Sequence, residues 1–390
     1  MTKTLALLLD SYRELNAKRL FWVVLALSGL VVGAFAMIGL KNDTITILWF
    51  DTPIRGELLT YLTPATLYKD MFDYFGIGFW LAWLGNILAL VSTAGMFPDF
   101  LAAGSVDLYL SKPISRLRLF LTKYAGGLLF VTLQVSIFSI CSFLVLGLRG
   151  HSWEPAIFLS IPLVVLVFSY LFSICVLLGV MTRSTIAALL LTLLIWFTIW
   201  GVQVTEFALL RQTIHTDVET ADLDTRIRLT QDELTNFTPP HPATRQASSA
   251  PSTGSWNPLS MFVHNSTSRI DIENRLEALK AERAQIGTGI YTAHSIAFAA
   301  LVPLPKTAGT TDLLTRALSD SDQKKASEAM EEQRANRPGR RMSYAERRSV
   351  DERLVDAANA RSATWTLGTS IAFELVILGL AAWLFCRRDY

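Results

Sequence analysis

The chain has little charge and few cysteines or histidines for its length, and each shortage removes a class of chemistry. Its three cysteines among 390 residues, Cys141, Cys175 and Cys386, stand far apart. Neither a disulfide scaffold nor a zinc site with paired-cysteine spacing fits them, and they read as packing residues. The five histidines, His151, His215, His241, His264 and His294, are scattered, with no cysteine or methionine cluster beside them. They read as surface residues, and no metal is expected. No GxxxxGK[ST] loop occurs, which excludes nucleotide binding by the phosphate-loop route, and HExxH, CxxC and GxSxG are missing as well. No catalytic residue is assigned. The net charge of +2 is too small to suggest a nucleic-acid partner.

What the chain does have is apolar length. Hydrophobic residues make up 51% and charged ones 17%, and the charges are gathered outside a series of long apolar runs. Six runs, Leu20 to Leu40, Ile77 to Phe97, Leu119 to Leu148, Ile157 to Val180, Ile186 to Ala208 and Trp365 to Cys386, each supply the ~20 residues needed to cross a ~30 Å hydrocarbon layer. The third is long enough to include a turn. Backbone groups in lipid must be satisfied within the segment, and strict two-residue alternation is absent, so the expected fold is all-α, a polytopic membrane protein of six transmembrane helices. The first run is too long for a signal-peptide core and leads straight into Lys41, Asn42 and Asp43, with no small-residue cleavage site.

Lysines and arginines close to the runs set the expected orientation. Lys3, Arg13, Lys18 and Arg19 precede the first run, Lys112, Arg116, Arg118 and Lys123 surround the loop after the second, Arg183 follows the fourth, and Arg387 and Arg388 follow the sixth. All fall on one side, which the rule makes the cytoplasm. Both termini are then cytoplasmic, in a multi-pass protein of the inner or plasma membrane with lipids as neighbours. Trp22, Trp80, Trp153, Trp200, Trp365 and Trp383 lie near span ends, as interfacial anchors do.

Residues 1–19 form an amphipathic pattern, with Leu5, Leu8, Leu9, Tyr12 and Leu15 at helical spacing, which suits a helix lying on the membrane surface. Residues 20–204 hold the first five spans. A large insert at 205–364 falls on the outer side and reads as helical, with flexible segments at 238–258 and 319–348. Its start would prolong the fifth span, and Ile272 to Ile286 forms a second helix; an antiparallel hairpin or two separate helices both fit. The apolar stretch Ile290 to Pro305 is short and proline-ended, so it belongs at the outer interface or in the core of the insert. The sixth span and the C-terminus occupy 365–390.

The sharpest local signal is the loop at 98–118, within FPDFLAAGSVDLYLSKPISRLRLFLTKYAGG. Ser105 can cap a short helix with Asp107 near its positive end. Leu108 and Leu110 give it apolar contact, and Pro113 stops it by pushing Lys112 from helical angles. Arg116 follows at the start of the third span, and by charge alone a positive-inside loop touching lipid phosphates fits these residues equally well. This order, with SKPISR, FLTKYAGG and the amphipathic entry LLLDSYRELNAKRLFW, resembles the second-to-third-span loop and the beginning of type-2 ABC exporter permeases, in the branch that includes permeases for multicopper-enzyme maturation. The insert is larger than that family's compact pattern.

The resemblance implies a transporter subunit, not an enzyme, paired with a second permease chain as homo- or heterodimer and driven by separate cytoplasmic ABC ATPase subunits. ATP and Mg would be bound by those partners and no cofactor by this chain. It also implies that Asp107, Leu108, Leu110, Lys112, Pro113 and Arg116 couple ATPase closure to the spans.

Within the spans, Glu374 is the most expensive residue to place, at about 2.5 to 3.5 kcal/mol on insertion scales. With Asn86, Gln134 and Gln203 it either lines a translocation path or locks helices together. Gly29 and Gly33 form a small-xxx-small pair suited to close packing. Two further readings fit the residues: a membrane-anchored sensor whose insert binds a partner, and an ion-coupled transporter or channel using Glu374.

Overall fold

The structure, a computed structural model, describes residues 19–41, 44–47, 50–55, 64–101, 115–237, 269–287, 289–318 and 344–387. The readings made above for residues 1–18, for a short helix at Ser105 to Ser111, for 238–258 and for most of 319–348 fall outside the described residues.

The described chain is all-α apart from one small sheet, and five of its helices are long and apolar enough to cross a membrane. Helix α1 (Arg19–Met37) is shorter in its apolar part, Phe21–Met37. It buries Phe21, Val24, Ser28, Val32 and Phe35 at helical spacing, while Trp22, Val23, Leu27 and Leu30 face outward. Strands β1 (Ile38–Lys41), β2 (Thr44–Ile47) and β3 (Phe50–Arg55) follow as an antiparallel meander, with Ile38 opposite Ile47 and Ile47 opposite Phe50. The sequence reading did not foresee this sheet. Tyr68 donates to the Ile38 carbonyl and ties the sheet to the next helix.

That next crossing, Leu67–Phe100, is compound. It runs through α2 (Pro64–Met71), a π-helix (Phe72–Gly85), α3 (Asn86–Thr93) and α4 (Met96–Phe100). π-turns rarely persist beyond one turn, yet this segment continues for 14 residues. A Cβ on Gly85 would lie 3.0 Å from the Trp80 carbonyl oxygen five residues earlier, so glycine there accommodates the wider turn. Trp80 is not an interfacial anchor: it is buried and donates to Ser28 Oγ at 3.2 Å. Trp22, Trp153, Trp200 and Trp383 are outward-facing, as anchors require.

Helix α5 (Arg116–Arg149) is continuous for 34 residues, about 51 Å at 1.5 Å per residue, so the turn allowed for in the third run is absent. A 3₁₀ turn (Pro155–Leu159) leads into α6 (Ser160–Thr182), the central helix, whose Phe168, Tyr170, Leu171, Phe172 and Val176 are almost wholly buried. Arg183, left-handed at φ 53°, ends α6 and turns the chain into α7 (Thr185–Thr235). Helix α12 (Ala363–Arg387) packs chiefly on α6, and α5 packs on both. The close approach of α5 and α6 depends on Gly127, where a Cβ would come within 2.6 Å of the Phe172 ring. Nothing lies within 4 Å of a Cβ built on Gly29 or Gly33, so among the described residues that pair is not a packing site.

The chain divides into two compact units. The first holds 1–207, 297–344 and 357–390, and the second 208–296 and 345–356. Within the second, the far part of α7 runs antiparallel to α8 (Arg269–Gln285) and the start of α9 (Gly289–Leu301). Arg283 pairs with Asp224 at 2.9 Å and Tyr291 donates to Asp217 at 2.6 Å, so later residues meet earlier ones. This is the antiparallel arrangement of the two readings left open. Ile214, Val218, Leu223, Ile272, Leu276 and Val350, the last on α11 (Tyr344–Ala360), are buried in this unit.

Candidate functional site

Three polar locks and one aromatic clasp hold the membrane unit together. At the elbow end, meaning the end where α4 gives way to 102–114, Ser115 caps α5 by accepting from the Arg118 N–H at 3.4 Å. Arg116, on the first turn, donates from Nη1 to the Cys386 carbonyl at 3.3 Å. Beneath it, Phe97 meets Phe120 at 5.1 Å, Phe120 meets Phe385 at 5.5 Å, and Phe100 stacks on Phe385 at 6.2 Å. Lys123 lies over the Phe100 ring at 5.7 Å. Both flanks of the elbow are thereby bound to the last turn of α12. Of the six residues assigned to ATPase coupling, only Arg116 is described; Asp107, Leu108, Leu110, Lys112 and Pro113 lie outside the described residues.

Deeper in the bundle, Glu374 of α12 accepts from the Tyr124 hydroxyl on α5 at 2.8 Å and from the Ser169 hydroxyl on α6 at 2.9 Å. Each hydroxyl also lies near a carbonyl, Tyr124 at 3.1 Å from that of Ser169 and Ser169 at 2.8 Å from that of Leu166. One carboxylate thus holds three helices, and the Tyr124 ring stacks on Phe172 at 5.2 Å to fix the donor.

At the opposite, insert end, α10 (Thr307–Leu318) lies against α6, α12 and the π-helix, with Thr310 and Leu314 fully buried. Gln203 on α7 holds the entry to α10 from both ends of its amide. Nε2 donates to the Pro305 carbonyl at 3.0 Å and to Thr307 Oγ1 at 3.3 Å, while Oε1 accepts from the Ala308 N–H at 3.1 Å. Lys306 is 3% exposed; its backbone N–H donates to Ser370 Oγ at 2.9 Å and its ammonium to the carbonyls of Val302 and Leu304. The ammonium sits 4.6 Å from the Trp365 ring centroid. Burial, and then the Arg361 charge, push its pKa down to about 8. Arg361 forms a bidentate pair with buried Glu206 and lies over Phe298, which stacks on Trp365 at 5.9 Å. At the far end of α10, Thr315 donates to Asp73 at 2.8 Å.

Asn86 and Gln134 do not join these locks. They line a separate internal cavity of about 20 Å³ with Ser28, Trp80 and Val164. Asn86 Nδ2 donates to the Ala82 carbonyl of the preceding π-helix at 3.1 Å.

The structure therefore brings Glu374 and Gln203 into locks, places Asn86 and Gln134 on one cavity, and keeps the two sets apart. Sequence reasoning missed Tyr124, Ser169, Lys306, Glu206 and Arg361. Tyr124 lay in the quoted FLTKYAGG, one residue after Lys123. Glu206 and Arg361 lay near the two ends of the insert at 205–364, too far apart in sequence to show that they meet.

No curated protein and no solved structure shows significant similarity to the chain. The model of the ABC-2 family transporter protein matches residues 18–390, and the match runs through the insert as well as the spans. The family supplies the membrane subunit of ABC transporters, in which ATPase chains are the general partners. This chain belongs to the ABC-2 family of transporter proteins and is a multi-pass permease subunit.

Proposed function

We propose that this permease works in an ATP-driven exporter of the cell membrane, two permease chains assembling with two separate cytoplasmic ATPase subunits. The elbow helix, with Asp107, Leu108, Leu110, Lys112, Pro113 and Arg116, seats in the ATPase surface; both termini are cytoplasmic and the insert lies outside. Helix α1 is the sixth crossing. Nucleotide and Mg belong to the ATPase, and this chain's part is mechanical.

The observation that carries the reading is the clasp of Phe97, Phe100, Phe120, Phe385 and the Arg116 to Cys386 bond. Aromatic cores deform little, so a displacement of either flank of the elbow is passed to the end of α12. From there it reaches Glu374, about three turns along the helix, where α12 is fastened to α5 and α6. Glu374 acts in this scheme as a lock, since both of its oxygens are engaged by hydroxyls.

The test is capture of the tagged full-length chain from native membranes with an ATPase assay on the eluate. ATPase activity is expected with the wild-type chain and is expected to vanish with the combined substitutions Pro113→Ala and Arg116→Glu. Undiminished activity with that variant, or labelling of a cysteine placed at 107 by an impermeant reagent outside intact cells, would overturn the assignment.

A further inference from the structure

We propose that Asn86 and Gln134 hold one ordered water molecule inside the membrane unit, where it bridges the π-helix end of the second crossing to α5 and α1. The two side chains are almost completely buried, at 2% and 5% exposure. Asn86 Oδ1 and Gln134 Nε2 have no hydrogen-bond partner among the described residues, and both residues line the same cavity. The orientation of Asn86 is fixed by its Nδ2 bond to the Ala82 carbonyl, which leaves an acceptor turned away from the helix. Gln134 offers a donor.

The cavity, about 20 Å³, exceeds the ~10 to 15 Å³ that a water needs. A cavity with a wholly apolar lining stays dry, whereas a buried water is held by about three polar partners. Three are available. The water accepts from Gln134 Nε2 and donates to Asn86 Oδ1 and to Ser28 Oγ. Ser28 already accepts from Trp80 Nε1 at 3.2 Å and has a second lone pair. Donors and acceptors then balance, and two buried groups that would otherwise carry a desolvation penalty are satisfied. The site is independent of the transport reading, because it uses none of the elbow or lock residues.

The sign of a mutational effect decides the matter. With the bridge present, Asn86→Leu or Gln134→Met alone strands its counterpart and lowers the Tm of the purified chain in nanodiscs by about 2 to 4 °C, and the double variant is more stable than the sum of the two losses. With a dry cavity each single change removes an orphan group, so Tm stays level or rises and the effects add; that result overturns the proposal. Radiolytic hydroxyl labelling with mass spectrometry on the wild-type chain supplies a second readout that needs no variant. Leu81 and Val135, which line the cavity, are expected to label above outward-facing Leu144. Labelling of both at the level of Leu144 would equally sink the idea.

Discussion

Tyr124 and Glu374 stand 250 positions apart in the sequence and 2.8 Å apart in the fold, which makes one hydrogen bond the tie between the helix that follows the elbow and the last helix of the chain. Replacing Glu374 by leucine leaves the Tyr124 and Ser169 hydroxyls with only their carbonyl neighbours, at an expected loss of about 1 to 3 kcal/mol. The amide introduced by Glu374→Gln keeps an acceptor, and Ser169 can reverse its bond, so this variant is expected to lose less than Glu374→Leu. Thermal unfolding of the two variants in detergent checks the order.

Gly127 predicts a steric effect with a named rescue. Gly127→Ala forces a methyl against the Phe172 ring, which is itself buried and stacked on Tyr124. Overpacking of this kind costs about 1 to 3 kcal/mol. Adding Phe172→Leu makes room, and the double variant is expected to recover part of the loss in Tm.

The Gln203 lock predicts local release. Gln203→Leu removes its three contacts to Pro305, Thr307 and Ala308, and hydrogen exchange is expected to quicken at 306–310 while the α5 and α6 amides keep their protection. Exchange that rises uniformly across the chain would contradict the assignment.

Lys306 predicts a pH dependence. Its folded-state pKa is about 8 against an ordinary 10.5, so between those values the unfolded chain binds more protons than the folded one. Stability therefore rises with pH across that window, and below it the full penalty of a buried ammonium is present. Lys306→Met is expected to flatten the slope in a Tm series taken from below pH 8 to above pH 9.

The spans were legible because lipid tolerates few charges, and the apolar runs announce themselves without partners. Helix α10 was not. Its sequence, TAGTTDLLTRAL, is polar in composition and read as part of an outer insert. It packs against the spans because its threonines satisfy themselves: Thr310 donates to the Lys306 carbonyl and Thr311 to that of Ala308, both at 2.8 Å. The π-helix left no signal beyond its glycines, since its register differs from an α-helix in backbone pairing and not in residue type. Glu374 was recognisable as costly, but its partners were not, because Tyr124 and Ser169 are ordinary residues until the fold turns them to one point. Sequence length also concealed which polar residues belong together: Asn86 and Gln134 looked equivalent to Gln203, and only the cavity separates them.

Along α7, Ile186, Leu190, Leu194, Phe197 and Val204 face outward in a single stripe. It measures about 27 Å at 1.5 Å per residue, close to the ~30 Å hydrocarbon thickness of a bilayer. Gln203 and Glu206, the anchors of the insert-end locks, stand where this built-in ruler stops. A host membrane thicker or thinner than the stripe must tilt α7 or bend around it, and the strain of that mismatch falls first on those two residues. Acyl-chain length is therefore a dial on the firmness with which α10 is held.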